Sequence, residues 1–448
     1  MKRFMSWGWL LLYALVLSGA VYAAAIGSDN RAEDVPTEKI TLTFRHFWNK
    51  EHDRPMLHIF EDAVRSYEQA YPNVKVNMES MDQTIHREQK LKNEMVTGTP
   101  PDLFVLFGGA EIEPYIRADR LMDMTAFMEQ NDLTNQFQDL HLWSKDNRVY
   151  GLPIEGNAEP LFYNKTIFNR LALKVPETIA ELTHAIGVLK KNGYTPFALG
   201  NEDRWPAAIY LQYLMDRHTG PALIEDLAAS DRGGTFVNSG YQTAYGQFDA
   251  WVKAGAFPTV ANGRSAEEAI DMFTSGKAAM YLNGNWDITL FHNEQQGKDF
   301  QNEIGVIPFP SLHAEGLRSI AGGYTFGIGM SSNLSDAKQA AAFELLRFIY
   351  TKEIQSRIVY EALRIPSMKI AFDPARTGPV FAKVIALMEQ SRGSFVPYDN
   401  LLSPEVKKAF LKGIEELINQ SSAPGDALAR LEQASKDYWR LRQSSAAQ

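Results

Sequence analysis

The sequence contains no cysteine. Disulfides, thiolate metal sites and thiol nucleophiles are therefore excluded. It also lacks the short motifs of common enzymes, since there is no Gly-x-Ser-x-Gly elbow, His-Glu-x-x-His pair, Walker A loop or Gly-x-Gly-x-x-Gly fingerprint. The nine histidines do not pair at metal-ligand spacing. We expect no catalytic residue, metal or cofactor, although 54 acidic residues leave a glycosidase as an alternative.

An excess of positive charge is missing as well. The chain has 45 basic residues and a net charge of −9, which disfavours nucleic-acid binding because phosphate contacts need clustered Lys and Arg. Its 448 residues are 45% hydrophobic. Such a chain can bury a large core and is longer than one ordinary α/β sheet requires. We expect a globular protein with two lobes.

The first 38 residues differ from the rest. Lys2 and Arg3 precede an apolar run from Trp7 to Leu17 and then small residues, the pattern of an export signal over 1–25. Either this segment is cleaved or residues 7–25 remain as a single membrane anchor. The motif Leu17-Ser-Gly-Ala20 has alanine where a lipidated cysteine would stand, so lipidation is excluded. Residues 26–38 are predicted to be a tether to an exported, periplasmic or extracellular body.

Strand and helix patterns alternate in the body. Residues 40–44 and 74–78 alternate between apolar and polar, as half-buried strands do, and a helix with Pro55 in its first turn lies between them. Leu103–Phe107 is apolar on both faces, which predicts a central parallel strand covered by helices on each side. Further helices are predicted over 337–350, 407–418 and 427–442, and we find no internal repeat. The fold class is α/β.

One stretch predicts a ligand contact directly. A capping box at Ser265–Glu268 begins a helix that stops at Gly276, a short apolar strand follows, and a Gly-Asn-Trp turn opens the next helix. Ligands of open α/β sheets bind outside the carboxyl ends of the strands. Trp286 is therefore a candidate ligand platform.

Several motifs occur in a recognisable order. They are Gly98-Thr-Pro-Pro-Asp102, Tyr150-Gly-Leu-Pro-Ile-Glu-Gly156, Leu161-Phe-Tyr-Asn-Lys165, Pro176-Glu-Thr-Ile-Ala-Glu-Leu182, Phe273 to Trp286, and Gly322-Gly-Tyr324. From about residue 40 to 437 the chain resembles the extracellular solute-binding proteins of family 1, the maltose-type sugar receptors of ABC importers.

This resemblance implies a two-lobed periplasmic-binding-protein-like fold of type II, with a ligand cleft between the lobes and a hinge of crossing strands. The N-terminal lobe would take 39–152 and 306–350, and the C-terminal lobe 153–305 and 351–448. Pro153 and Pro308 would lie near the crossings. Closure of such lobes is a small rotation that a few strand-end residues absorb.

A sugar presents C–H faces and hydroxyl groups, so its receptor needs flat aromatic rings and planar polar groups. Such groups at strand ends are Trp48, Asn49, Phe107, Gly108, Asn201, Glu202 and Trp205. The motif match adds Asn285, Trp286, Tyr324, Glu155, Asn157, Arg364 and Asp399. The alternatives are that the tryptophans pack in a core, that Arg364 forms a structural salt bridge and that Glu155 is a solvated hinge residue.

The function that the resemblance implies is capture of a sugar or oligosaccharide by lobe closure, followed by delivery to the transmembrane subunits of an ABC permease. The protein would act as a monomer. The alternative is a receptor that presents its closed form to a membrane histidine kinase, because both roles need the same cleft and differ only in the docking surface.

Overall fold

The computed structural model of the chain describes residues 39–230, 234–292, 300–316, 318–391 and 393–446. The predicted signal or anchor at 1–25 and the tether at 26–38 lie outside these residues. Strands β1–β15 are Ile40–His46, Val74–Ser80, Leu103–Phe107, Ser144–Lys145, Arg148–Val149, Leu152–Pro153, Glu155–Ala158, Leu161–Asn164, Thr195–Ala198, Ala278–Leu282, Ile304–Ile307, Ile320–Gly323, Phe326–Met330, Ile365–Pro366 and Ser394–Phe395.

Helices cover the strands on both sides. Helices α1–α17 are Arg54–Ala70, Lys92–Thr97, Glu113–Arg117, Thr125–Gln130, Lys165–Arg170, Ile179–Lys191, Trp205–Thr219, Ala222–Ala229, Ser239–Lys253, Ala266–Thr274, Phe300–Glu303, Asp336–Ile349, Lys352–Tyr360, Pro379–Gln390, Tyr398–Leu401, Pro404–Ile418 and Pro424–Ala446. Ile85–Leu91 is a π-helical turn, and short 3₁₀ helices include Asn285–His292. No helix in these parts of the chain is long and apolar enough to cross a membrane.

The first sheet has the strand order β2-β1-β3-β13-β6. Strand β3 is buried and runs parallel to β1, as its apolar sequence predicts, but antiparallel to β13. The expectation of a parallel environment is thus only half right. Strand β13 follows the strands of the other two sheets in the chain, and it runs in the opposite direction to β3. Helices α1 and α12 pack on the sheet and complete its core.

The second sheet has the order β11-β8-β10-β9. Strand β10 is parallel to β9 and antiparallel to β8, and all five of its residues are buried. The capping box of Ser265 and Glu268 is present and begins α10, which leads into β10. This order of capped helix, buried strand and turn is the one predicted from the sequence.

A third sheet, β14-β7-β12-β15, adjoins the first. A single residue, Ile154, separates β6 of the first sheet from β7 of the third, and Tyr324 and Thr325 separate β12 from β13. These two connections join the first sheet to the third. A Cβ on Gly322 would lie 2.2 Å from the carbonyl oxygen of Asn157, so the β7–β12 pair requires glycine there.

Candidate functional site

A cleft of about 680 Å³ lies between the lobes, within the usual range for small-molecule sites. The loops that follow β1 and β2, together with the end of β3, supply one wall. The second lobe supplies the other wall from the start of α7, the start of α10, Trp286 and the segment from Pro397 to Leu411. Strand β7 contributes Glu155 and Asn157, and Glu159 directly follows this strand. We call residues Glu155 to Glu159 the floor of the cleft.

Each wall carries aromatic side chains. In the first lobe Phe47, Phe107 and Phe326 lie with ring centroids 5.5–6.3 Å apart. In the second lobe Trp205 and Trp286 meet edge to face at 5.9 Å. All five rings line the cleft. The cleft can therefore offer apolar faces to a flat ligand from both lobes.

The floor presents a row of oxygen atoms. Successive strand side chains alternate in direction, so Glu155, Asn157 and Glu159 share one side, and all three line the cleft. Asn157 donates from Nδ2 to Thr325 Oγ1 at 3.0 Å. Its Oδ1 and Glu155 Oε2 are buried without a hydrogen-bond partner in the described part of the chain. Glu155 and Asn157 thus keep unused acceptor capacity beside the cleft.

Arg364 connects the floor to the first lobe. Its Nη2 donates to Asp53 Oδ1 at 3.1 Å, and its Nε lies 3.6 Å from Glu155 Oε2. Its Nη1 has no partner among the described residues. Burial raises the pKa of Glu155 to about 7, a shift that the Arg364 charge opposes. The floor thus holds the Glu155 carboxyl group, which titrates near neutrality, and Arg364 lies beside it as a donor.

His52 bridges the two lobes at one edge of the cleft. Its Nε2 lies 3.0 Å from Asp287 Oδ1 and its Nδ1 lies 3.6 Å from Glu267 Oε1. Burial alone would lower the pKa of His52, but the hydrogen bonds to Asp287 and Glu267 raise it to about 10. Tyr281 donates a further hydrogen bond to Asp287 Oδ2 at 2.6 Å. This imidazolium therefore holds the walls together.

Two further polar contacts join the walls. Lys407 Nζ donates to Glu88 Oε1 at 2.8 Å, and Thr84 Oγ1 donates to Asp203 Oδ1 at 3.2 Å. Both contacts join the segment between β2 and α2 to the second lobe. The walls of the cleft thus touch each other at several points.

The structure brings together most of the residues predicted from the sequence. Those that line the cleft are Trp48, Asn49, Phe107, Glu155, Asn157, Trp205, Trp286, Arg364 and Asp399. Trp48 also belongs to the first-lobe core, because it is 1% exposed and stacks on Phe60 at 4.2 Å. Trp286 is half-buried, which leaves part of its ring free for a ligand.

Five predicted residues are absent from the lining. Asn201 Oδ1 accepts from the backbone N–H of Ala207 in the first turn of α7, so its side chain has a structural role. Glu202 is exposed to solvent. Gly108 packs under the 3₁₀ turn that contains Leu142, where a Cβ would lie 2.8 Å from the carbonyl oxygen of that residue.

The other two predicted residues, Asn285 and Tyr324, support the floor from the side that faces away from the cleft. Asn285 Oδ1 accepts from the backbone N–H of Ala158 at 2.9 Å, which fixes the end of β7. The ring of Tyr324 packs against Gly156, where a Cβ would lie 2.8 Å from the ring. Both side chains therefore lie one layer away from the lining.

Sequence reasoning missed several lining residues. Glu159 could have been found, because it stands two residues after Asn157 on the same side of the strand. Gln212 lies seven residues after Trp205 on one face of α7, a helical spacing. The sequence gives no comparable signal for Arg87 or Lys407, since a π-helical turn and a distant C-terminal helix place them in the cleft.

Arg87 changes the character of the first-lobe wall. Its guanidinium lies 3.6 Å from the centre of the Phe107 ring and pairs with Glu111 through two nitrogens. One face of Phe107 is thus occupied by a cation. In the described residues no group of three or more His, Asp or Glu side chains could hold a metal ion.

Comparison with known proteins agrees with this architecture. The chain is 26% identical over 433 residues to an uncharacterised ABC transporter extracellular-binding protein of Pyrococcus horikoshii, covering 93% of this chain and 92% of the relative. It is 25% identical over 350 residues to the multiple sugar-binding protein of Streptococcus mutans, covering 74% and 76%.

A chitin oligosaccharide binding protein of known structure superposes with a TM-score of 0.85 at 27% identity, covering 89% of this chain and 98% of that chain. This likeness confirms the predicted two-lobed periplasmic-binding-protein fold. The sequence-family model of the bacterial extracellular solute-binding proteins matches residues 50–356. That family binds solutes and is not catalytic, which confirms the prediction that the protein is not an enzyme. The chain belongs to the bacterial extracellular solute-binding protein family.

Proposed function

We propose that the protein captures a sugar or oligosaccharide in the cleft between its lobes and delivers it to the transmembrane subunits of an ABC permease. The observation that carries this proposal is the combination of aromatic rings on both walls with a floor of acceptor oxygens. A sugar has apolar ring faces and outward hydroxyl donors, so it matches both features at once. Relatives named for sugar binding support the same ligand class.

The lobes would be residues 39–152 with 306–350 and residues 153–305 with 351–448. Two features favour small changes to these bounds. Strand β11 pairs with β8 of the second sheet as far as Ile307, which moves that crossing later. Ile354 and Ile358 of α13 pack in the first-lobe core. The hinge would consist of Ile154 and the Tyr324–Thr325 connection.

The protein would be exported and act as a monomer in the periplasm or outside the cell, held by residues 7–25 or released after cleavage. The absence of cysteine excludes lipidation. No observation favours the alternative of a kinase-coupled receptor over a permease-coupled one. Cross-linking to a permease subunit in membranes from the native host would test the permease partner.

The test of ligand class is a panel of neutral mono- and oligosaccharides screened by thermal shift and then by titration calorimetry. A ligand at 100 times its Kd stabilises a protein by about 2.7 kcal/mol, so a true ligand should raise Tm measurably. The sugar should be recovered unchanged after incubation. If amino acids or peptides raised Tm while no carbohydrate did, the proposal would be wrong.

A further inference from the structure

We propose that the Glu159 end of the floor binds a positively charged amino group, so that the preferred ligand is an amino sugar. This inference rests on the proposed function and names its ligand class more closely. Glu159 is 3% exposed and lines the cleft. Its side chain has one hydrogen bond, from Gln212 Nε2 to Oε2 at 2.7 Å.

The Glu159 carboxyl group has no ion-pair partner among the described residues. The buried cations of the cleft are already matched with other carboxylates. The pairs are Arg364 with Asp53, Lys407 with Glu88, His52 with Asp287, and Arg87 with Glu111. The remaining lining cations, Lys92 and Lys408, are exposed at the rim, and Arg204 is bound to Glu415. A cation from the ligand would therefore complete the buried charge pattern of the site.

Neighbouring groups fit an ammonium better than a hydroxyl. An ammonium has three donors and no acceptor. Asn157 lies two residues earlier on the same side of β7, is 8% exposed, and its Oδ1 lacks a partner in the described residues. An ammonium bound at Glu159 would thus lie on the same side of the chain as this unused acceptor.

A second carboxyl group adds to the negative field. Asp399 lines the cleft, and Gln212, which donates to Glu159, accepts at Oε1 from the N–H of the preceding Tyr398 at 2.9 Å. Burial, reinforced by the Asp399 charge, raises the pKa of Glu159 well above its ordinary value. Burial therefore favours the neutral form of the Glu159 carboxyl group in the empty cleft. An entering ammonium favours the carboxylate, and the carboxyl proton leaves to solvent.

The experiment uses the full-length protein and titration calorimetry. The best neutral sugar from the panel is compared with its mono-amino analogues, with the amine placed at each ring or exocyclic hydroxyl position in turn. One analogue is expected to bind about ten-fold more tightly than its parent, or about 1.4 kcal/mol. Its binding enthalpy should vary with the ionisation enthalpy of the buffer, because a proton is released.

Glu159→Gln keeps the shape of the side chain and removes its acid group. In this variant the affinity of the amino analogue relative to its parent should fall to one or below, and the buffer dependence should disappear. Glu202→Gln removes an exposed carboxylate of the same lobe that does not line the cleft. That control should keep the wild-type ratio.

Three results would overturn the inference. The first is that every amino analogue binds no more tightly than its parent sugar. The second is that Glu159→Gln keeps the preference for the amino analogue. The third is that an N-acetylated analogue binds best, which would make Glu159 a neutral acid that donates to a carbonyl. Sugar binding would still stand in each case. If neither neutral nor amino sugars bound, the proposed function itself would fail and the inference with it.

Discussion

The exposed fraction of each tryptophan in the cleft indicates whether its ring can contact a ligand or packs in a core. Trp286 and Trp48 both line the cleft, but Trp286 is half-buried while Trp48 is 1% exposed and stacked on Phe60. A ring that is already covered by protein has little face left for a ligand. The two residues should therefore respond differently to truncation.

Trp286→Ala should weaken sugar binding by about 1–3 kcal/mol, because a large aromatic face is lost from one wall. Calorimetric titration gives the affinity, and the thermal midpoint of the free protein should stay close to that of the wild type. Trp439→Ala is the matched control, since this tryptophan lies in α17 away from the cleft. Unchanged affinity in Trp286→Ala would show that the ring is an idle surface.

Trp48→Ala should instead destabilise the protein by about 3–5 kcal/mol, the usual cost of removing a large aromatic side chain from a core. Urea unfolding followed by circular dichroism measures the change. A variant that retained wild-type stability and lost only affinity would assign Trp48 to the ligand and not to the core.

Among the residues, the sequence predicts Trp48, Phe107 and Trp286 from their positions at strand ends and in a turn. Glu155 and Asn157 are predicted from the motif match. Arg87 reaches the cleft only because a π-helical turn packs against β3, and no pattern in the sequence encodes that packing. Long-range placement of a helix is decided by tertiary contacts.

The element on which the site depends most is β7, because it supplies the floor and joins the lobes. Asn285 fixes the end of this strand by accepting from the N–H of Ala158. A strand held by a side chain of another element is sensitive to the loss of that side chain. The motif Tyr150-Gly-Leu-Pro-Ile-Glu-Gly156 covers the start of β7, but it gives no sign of this hydrogen bond.

Asn285→Ala should lower the free energy of unfolding by about 1–3 kcal/mol, because it leaves the buried N–H of Ala158 without its partner. The loss of sugar affinity should be smaller than in Trp286→Ala, since Asn285 does not line the cleft. Chemical denaturation and calorimetry measure the two effects. Asn135→Ala, at an exposed position, is the control, and a larger affinity loss in Asn285→Ala than in Trp286→Ala would contradict this assignment.

Local sequence patterns predict most elements, including the capped helix α10 and the buried strands β3 and β10. They do not predict which strands lie next to each other in a sheet. Strand β3 has one parallel and one antiparallel neighbour, because β13 comes from a segment more than 200 residues later. Pairing of that kind depends on the path of the whole chain.

At the scale of the whole molecule, polar contacts between the walls of the cleft hold the lobes together. His52 is the one with a pH dependence, and the charged groups that face it are Asp287, Glu267 and Asp53. Its pKa is about 10 with the lobes in contact, against an ordinary value of 6.5. The protonated ring thus stabilises the closed form. That stabilisation is complete below 6.5 and is lost as pH rises through 10.

Sugar affinity should accordingly fall as pH rises from neutral towards 10, because closure becomes less favourable. His52→Gln should bind more weakly at neutral pH and should lack most of this alkaline decline. Titrations at several pH values at constant ionic strength measure both effects. An equally steep decline in the variant would assign the pH dependence to other groups, such as the lysines at the rim.

Ligand should also shift the lobes towards the closed form, since it gains contacts from both walls at once. Solution scattering should then give a smaller radius of gyration with saturating sugar, and tryptophan emission should change at the same concentration. An identical scattering profile with verified ligand would show that the lobes are already fixed by their direct contacts.

The short crossings at Ile154 and at Tyr324–Thr325 have a consequence for kinetics. When two lobes rotate about the strands that join them, those strands move least, and here they also form the floor. In the proposed binding cycle a sugar would therefore settle on the floor of the open protein before either wall arrives, and the encounter rate would be set there. The aromatic walls would then determine the residence time, since most affinity differences within one site are differences in dissociation rate.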